Sequence, residues 1–143
     1  MAGDPAMIGI VITIDVDDLE RAIHFYCEGL GLRLGRRLFD DTVAELLGGS
    51  APIHLSVKSA GTPSSGYGSG ARDYGRHWTP VHLDFTVDDV ADAVRRAQGA
   101  GARLEGEIET FPWGRMANLS DPFGHGLCLI QLVGRGYGEV VSR

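Results

Sequence analysis

Apolar and polar residues alternate strictly from Val81 to Val87. Val81, Leu83, Phe85 and Val87 fall on one side, and His82, Asp84 and Thr86 on the other. A period of two is that of a strand with one buried face. The period then changes. Val90, Ala93, Val94 and Ala97 follow at helical spacing and form a single apolar stripe. Asp88 or Asp89 stands where a carboxylate can cap the first free N–H groups of that helix. The strand's apolar face and the helix stripe can bury each other, which turns His82, Asp84 and Thr86 toward the far side of the sheet.

The same unit occurs earlier in the chain. VDDLERAI at 16–23 matches VDDVADAV at 87–94, and GLRL at 31–34 matches GARL at 101–104. Upstream of the first copy, Ile8, Ile10, Ile12, Ile14 and Val16 alternate with Gly9, Val11, Thr13 and Asp15. Val11 thereby takes the place of His82, Thr13 that of Asp84, and Asp15 that of Thr86. Asp17 and Glu20 have the spacing of a capping box. Leu19, Ala22, Ile23 and Tyr26 are the expected helix stripe, and Gly29 and Gly31 its stop. Strand patterns follow at 32–39, 42–47 and 52–58, then again at 102–108, 115–119 and 127–132. The expected architecture is α+β. Two tandem β-α-β-β-β modules, 8–58 and 77–133, flank a Gly/Ser-rich linker at 59–76 and precede a glycine-rich tail at 134–143.

Composition narrows the function. Of 143 residues, 43% are apolar and 22% charged, as in a soluble globular protein. The net charge of −6 argues against nucleic acid, whose phosphates need a basic surface. No apolar run approaches membrane-span length, and MAGDPAM carries no charged and then apolar leader, so a cytoplasmic location away from membranes is expected. Cys27 and Cys128 fall in a helix and a strand by pattern, which is no disulfide framework.

Two β-α-β-β-β modules, the V-D-D-[LV] junctions, HFYCEGLGL at 24–32 and NLSDPFGHGLCLIQ at 118–131 resemble the vicinal oxygen chelate superfamily. That group includes glyoxalases, extradiol dioxygenases and bleomycin resistance proteins. The resemblance spans about residues 8–133. It implies a curved, partly open eight-stranded sheet around a pocket, with helices on the outer face. It also implies a homodimer, because family members commonly close their sites by pairing modules across subunits.

The family's metal positions carry over onto Val11, His54, His82 and Cys128. Valine cannot ligate, so the candidate metal set is His54, His82 and Cys128, for zinc, iron, manganese or nickel. The alternative is a pocket with no cofactor. Asp84 could orient His82, act as general base or meet a cationic ligand. Phe111, Trp113 and Arg115 could clamp a planar or anionic compound. The expected pocket therefore comprises Val11, Thr13, His54, His82, Asp84, Phe111, Trp113, Arg115 and Cys128. His125 reads as a turn residue, and His77 reaches the pocket only if the linker folds over it. Two functions follow. One is a small-molecule-binding protein of the bleomycin resistance type. The other is a metal-dependent lyase, isomerase or dioxygenase. The first is favoured, because Val11 offers no donor and Cys128 stands where the enzymes commonly have a glutamate.

Overall fold

Among the described residues eight strands form two four-stranded sheets with the same order and the same handling of register. A computed structural model describes residues 7–68 and 70–142. The first sheet contains β1 (Ile12–Val16), β2 (Arg33–Leu38), β3 (Val43–Leu47) and β4 (Ile53–Val57), in the order β1-β4-β3-β2. The second contains β5 (Leu83–Thr86), β6 (Arg103–Phe111), β7 (Gly114–Ser120) and β8 (Gly126–Leu132), in the order β5-β8-β7-β6. In each sheet the first strand lies parallel to the last, and the other pairings are antiparallel. Even the irregularity repeats, since the outer hairpin of each module shifts register once, between Leu34 and Arg37 and between Glu105 and Glu109. The α+β class and tandem β-α-β-β-β order are thus present.

Helix α1 (Leu19–His24) runs on into a π-helical turn at Phe25–Gly29, and α2 is Val90–Gly99. The expected capping box at Asp17 and Glu20 does not form. Asp18 is the N-cap, accepting from Arg21 N–H at 3.0 Å, because the helix begins one residue later at Leu19. Glu20 instead reaches across to Arg37 on β2, 2.7 Å away. In the second module Asp89, not Asp88, is the cap. The switch to π geometry also changes the buried stripe. Phe25 and Tyr26 are both fully enclosed, while Ile23 is half-buried. The leading strand is shorter than its alternation, because residues 7–11 pair with nothing and lie exposed.

The modules share one core. Leu19, Ala22, Phe25 and Tyr26 pack in the same cluster as Val90, Val94 and Ala97, with Leu55 and Leu129 from the sheets. The helix ends touch, since a Cβ on Gly29 would stand 3.0 Å from that of Ala100. Arg96 Nε donates to Glu28 O across the seam at 2.6 Å. The stretch 59–76 is tied down at several points. Arg72 pairs with Asp15 at 2.7 Å, Tyr74 OH donates to Lys58 O at 2.7 Å, and Arg76 pairs with Glu105. No helix among the described residues is long and apolar enough to cross a membrane.

The seam also holds a buried hydrogen bond, Tyr26 OH to Asp121 Oδ2 at 2.6 Å. Burial, and then the Asp121 charge, push the Tyr26 phenol well above its ordinary range, so it stays a donor. Replacing Tyr26 by Phe removes one of three donors to a buried carboxylate. The expected loss is about 1–3 kcal/mol, read as a lower urea midpoint at constant slope. An unchanged midpoint would show that the hydroxyl contributes nothing.

Candidate functional site

In each module, strand alternation sends one set of side chains toward the helix and the other to the opposite face. On the first sheet that opposite face carries Thr13, His54 and Glu45, aligned across β1, β4 and β3. On the second it carries Asp84, Cys128 and Asn118, aligned across β5, β8 and β7. The two rows are equivalent by the repeat and differ in chemistry.

The first row is an ion-pair network. Arg36 holds both oxygens of Glu45, with Nε to Oε1 at 2.8 Å and Nη2 to Oε2 at 2.9 Å. His54 Nε2 lies 3.1 Å from Glu45 Oε2. The bonds from Arg36 and then His54 pull the Glu45 carboxyl from its ordinary 4.5 down to about 2. An ionised carboxylate only accepts, so His54 carries its proton on Nε2 and donates it to Glu45.

The second row is a compact cluster. One ligand atom each from His82, Asp84 and Cys128 lie within 4.8 Å of one another. His82 Nε2 stands 3.2 Å from Asp84 Oδ1. Cys128 is buried and its S–H donates to Asn118 Oδ1 at 3.2 Å. Burial first, and then the neighbouring Asp84, push its thiol up to about 12. His82 precedes β5 and is steadied by the Trp78 ring, 5.1 Å away. Trp78 itself is fixed, with its indole N–H on Glu105 at 3.0 Å and the Arg76 guanidinium 4.8 Å above its ring. The ring lies so close to Gly126 that a Cβ there would collide with it.

Between β1 and β5 a cleft of about 310 Å³ opens. Ile12, Ile14, Leu83 and Phe85 supply apolar wall, and Thr13, Asp15, Tyr26, His77, His82 and His125 supply polar groups.

The model for the glyoxalase-like domain matches residues 11–130, which is most of the chain. The chain belongs to the glyoxalase-like domain family. It is a member of the vicinal oxygen chelate superfamily. Among curated proteins it is similar to the anthracycline biosynthesis protein DauV of Streptomyces sp. (strain C5), with 33% identity over 135 residues. That match covers 92% of this chain and 44% of DauV. The chain thus spans less than half the length of the curated relatives it matches. Among solved structures, the antibiotic-binding protein TnmS3 from Streptomyces sp. CB03234 is 24% identical with a TM-score of 0.64, covering 90% of this chain and 98% of TnmS3. A glyoxalase-related enzyme from Fulvimarina pelagi is 20% identical with a TM-score of 0.69, covering 91% and 94%. At these identities the two structures establish the shared fold.

The residues of this glyoxalase-like domain do not form the four-ligand centre that the superfamily implies. Val11 is exposed just ahead of β1 and has no donor atom. The expected trio of His54, His82 and Cys128 does not assemble. His54 sits on the other sheet and is taken by Glu45, and Asp84 completes the cluster in its place. A metal at His82, Asp84 and Cys128 would have to displace the thiol proton, which burial and Asp84 hold in place.

Phe111 and Trp113 stack on each other, 5.1 Å apart and 6° from parallel, and Tyr137 lies 5.1 Å beyond Trp113. They form a closed stack rather than an open clamp, and neither lines the cleft. Arg115 shares its face of β7 with the core residues Ala117 and Leu119, so it turns away from the Asp84–Cys128 face. Of the expected pocket residues, Thr13 and His82 line the cleft. His77 lines it too, and Asp15, Tyr26 and His125 line it without having been anticipated. Glu45, away from the cleft, was not anticipated beside His54. Glu45 had a signal, because it is the one charge in the apolar run 43–47, directly opposite His54.

The depressed Glu45 fixes a pH dependence. A carboxyl whose folded value lies below its unfolded value stabilises the fold above about pH 4.5, and that contribution is lost as pH falls toward about 2. Glu45→Gln should therefore flatten the stability profile across that window and leave its shape above pH 5 unchanged, as followed by urea denaturation. Equal slopes in both proteins would show that the network is not coupled to folding.

Proposed function

We propose that this glyoxalase-like domain binds a hydrophobic, aromatic small molecule in the cleft between β1 and β5 and performs no chemistry on it. The cleft carries the reading. Its volume falls at the lower end of the range for small-molecule sites, with mostly apolar walls and a few convergent polar groups. The groups that would serve as metal ligands or bases are already engaged, His82 through Nε2 alone. His54 is bonded to Glu45, His82 faces Asp84, and the Cys128 thiol keeps its proton. The relatives agree in kind, since DauV is an anthracycline biosynthesis protein and TnmS3 an antibiotic-binding protein of the same fold. His82 would hydrogen-bond a ligand oxygen, and Leu83, Phe85 and Ile12 would cover its rings.

The second reading, a metal-assisted enzyme, is favoured by the His82–Asp84–Cys128 cluster alone. Titrating daunorubicin, an anthracycline, into the protein while following tryptophan fluorescence separates the two. Under the binding reading, saturable quenching persists in EDTA, and His82→Ala weakens it by about tenfold, roughly the worth of one good hydrogen bond. Binding that EDTA abolishes and zinc restores would favour the metal reading. No saturable response with daunorubicin would count against the cleft as an anthracycline site.

A homodimer belongs to the same proposal. Ile8, Ile10, Val11 and Val81 are exposed beside the open edges of β1 and β5. Apolar residues clustered at two unpaired edges ask for cover. Sedimentation velocity should show a dimer at micromolar concentration. A concentration-independent monomer would remove this part.

A further inference from the structure

On the wall of the cleft two imidazoles are joined in a chain between backbone carbonyls. His125 Nε2 lies 2.7 Å from Asp15 O on β1. His125 Nδ1 lies 3.0 Å from His77 Nε2, and His77 Nδ1 lies 3.0 Å from Gly75 O. A carbonyl oxygen only accepts, so both outer nitrogens must carry hydrogen. The inner contact needs one more, from either ring. Three protons on four nitrogens make the pair a single shared cation. With two protons, one carbonyl would face a lone pair or the two inner lone pairs would face each other.

The backbone fixes this arrangement. His77 N donates to Gly124 O at 2.9 Å, and Gly126 N donates to His77 O at 2.8 Å. His125 N is held by Asp121 Oδ1 at 2.9 Å. Gly124 has φ 87°, and a Cβ there would meet Tyr74 O at 2.5 Å, so the turn has little freedom to move the ring. The surroundings are charge-balanced in pairs. Asp15 is paired with Arg72, and Arg76, which donates to His77 O, is paired with Glu105. The Tyr74 ring meets His125 edge-on at 6.2 Å, and burial, with Asp15 and Asp17 nearby, holds its phenol protonated. Asp121 lies beneath with Tyr26 on it, and His82 lines the same cleft.

We propose that His77 and His125 bind one proton between them and so form a clasp that joins the two modules along the wall of the cleft. The chain runs from β1 of the first module to the β7–β8 turn and the linker of the second. Losing the proton breaks one of its three hydrogen bonds. The clasp is therefore complete while the pair holds one shared proton and is lost as pH rises and that proton leaves, and ligand retention follows the same proton. That last step rests on the binding reading above, whereas the proton site does not.

Nitrogen-15 NMR of the two rings in the unliganded protein tests the site. Three ring N–H signals at about pH 6, lost in a single one-proton step shared by both histidines by about pH 8.5, are expected, these being conditions that bracket ordinary histidine titration. Two rings that titrate independently, or that are both neutral at about pH 6, would overturn it. The His77→Gln variant supplies the second arm. Its urea midpoint should vary less between those pH values than that of the unmodified protein. If the variant fails to fold, the NMR measurement on the unmodified chain still decides. Daunorubicin affinity that falls at least threefold from the lower to the higher pH, and less in His77→Gln, supports the coupling. Equal pH dependence in both proteins overturns it. Failure of daunorubicin to bind at either pH counts against the cleft reading, and the ring protons still decide the clasp.

Discussion

A buried carboxylate holds the halves of this protein in their relation. Asp121 is 3% exposed and accepts from Tyr26 OH, Phe123 N–H and His125 N–H. Those hydrogen bonds offset the cost of taking a carboxyl group out of water. One comes from the first module's helix, and two come from the turn that Asp121 itself begins. The bond to Tyr26 fixes where α1 sits against the second sheet. The bonds to the turn shape residues 121–125 and aim His125 at β1. The histidine pair and the wall of the cleft that it forms follow from that geometry.

The repeat then shows how one architecture holds two chemistries. Thr13, His54 and Glu45 occupy the positions that Asp84, Cys128 and Asn118 occupy in the other module. In the first, a charged β2 neighbour, Arg36, fixes the carboxylate and the carboxylate fixes the histidine. In the second, the corresponding row holds a neutral thiol and an amide, and the charge lies at the edge with His82 and Asp84. The same backbone scaffold therefore presents a locked polar face on one sheet and a half-exposed histidine–carboxylate pair on the other.

Periodicity made the module order legible, because the helix and strand periods differ and the stretches 8–26 and 81–97 each switch once between them. It also put His82 and Asp84 on one face, since alternation fixes sides, whereas Cys128 came from the family resemblance. It could not say which strands lie side by side. The partner of His54 depends on the register between β3 and β4, and Glu45 was therefore missed. His77 and His125 sit in a linker and a turn, where no period exists and tertiary bonds alone decide position. The capping box failed for a smaller reason. Two adjacent aspartates offer two possible starts to a helix, and a one-residue choice moves Glu20 from its own backbone to Arg37.

Among the described residues every buried side-chain nitrogen and oxygen has a partner. That constraint bears on recognition. A ligand gains little from a group whose bonds are already made, because displacing an internal partner costs about as much as the new bond returns. Glu45, Asp121 and Trp78 are in that position, so their role is to hold shape. Thr13, His82 and Asp84 are partly open and border or adjoin the cleft. Under the proposed binding reading, discrimination between ligands would fall to these three groups and to the fit of rings against Ile12, Leu83 and Phe85. A pocket built this way would tolerate hydrophobic scaffolds and select for where they carry an oxygen or an amine.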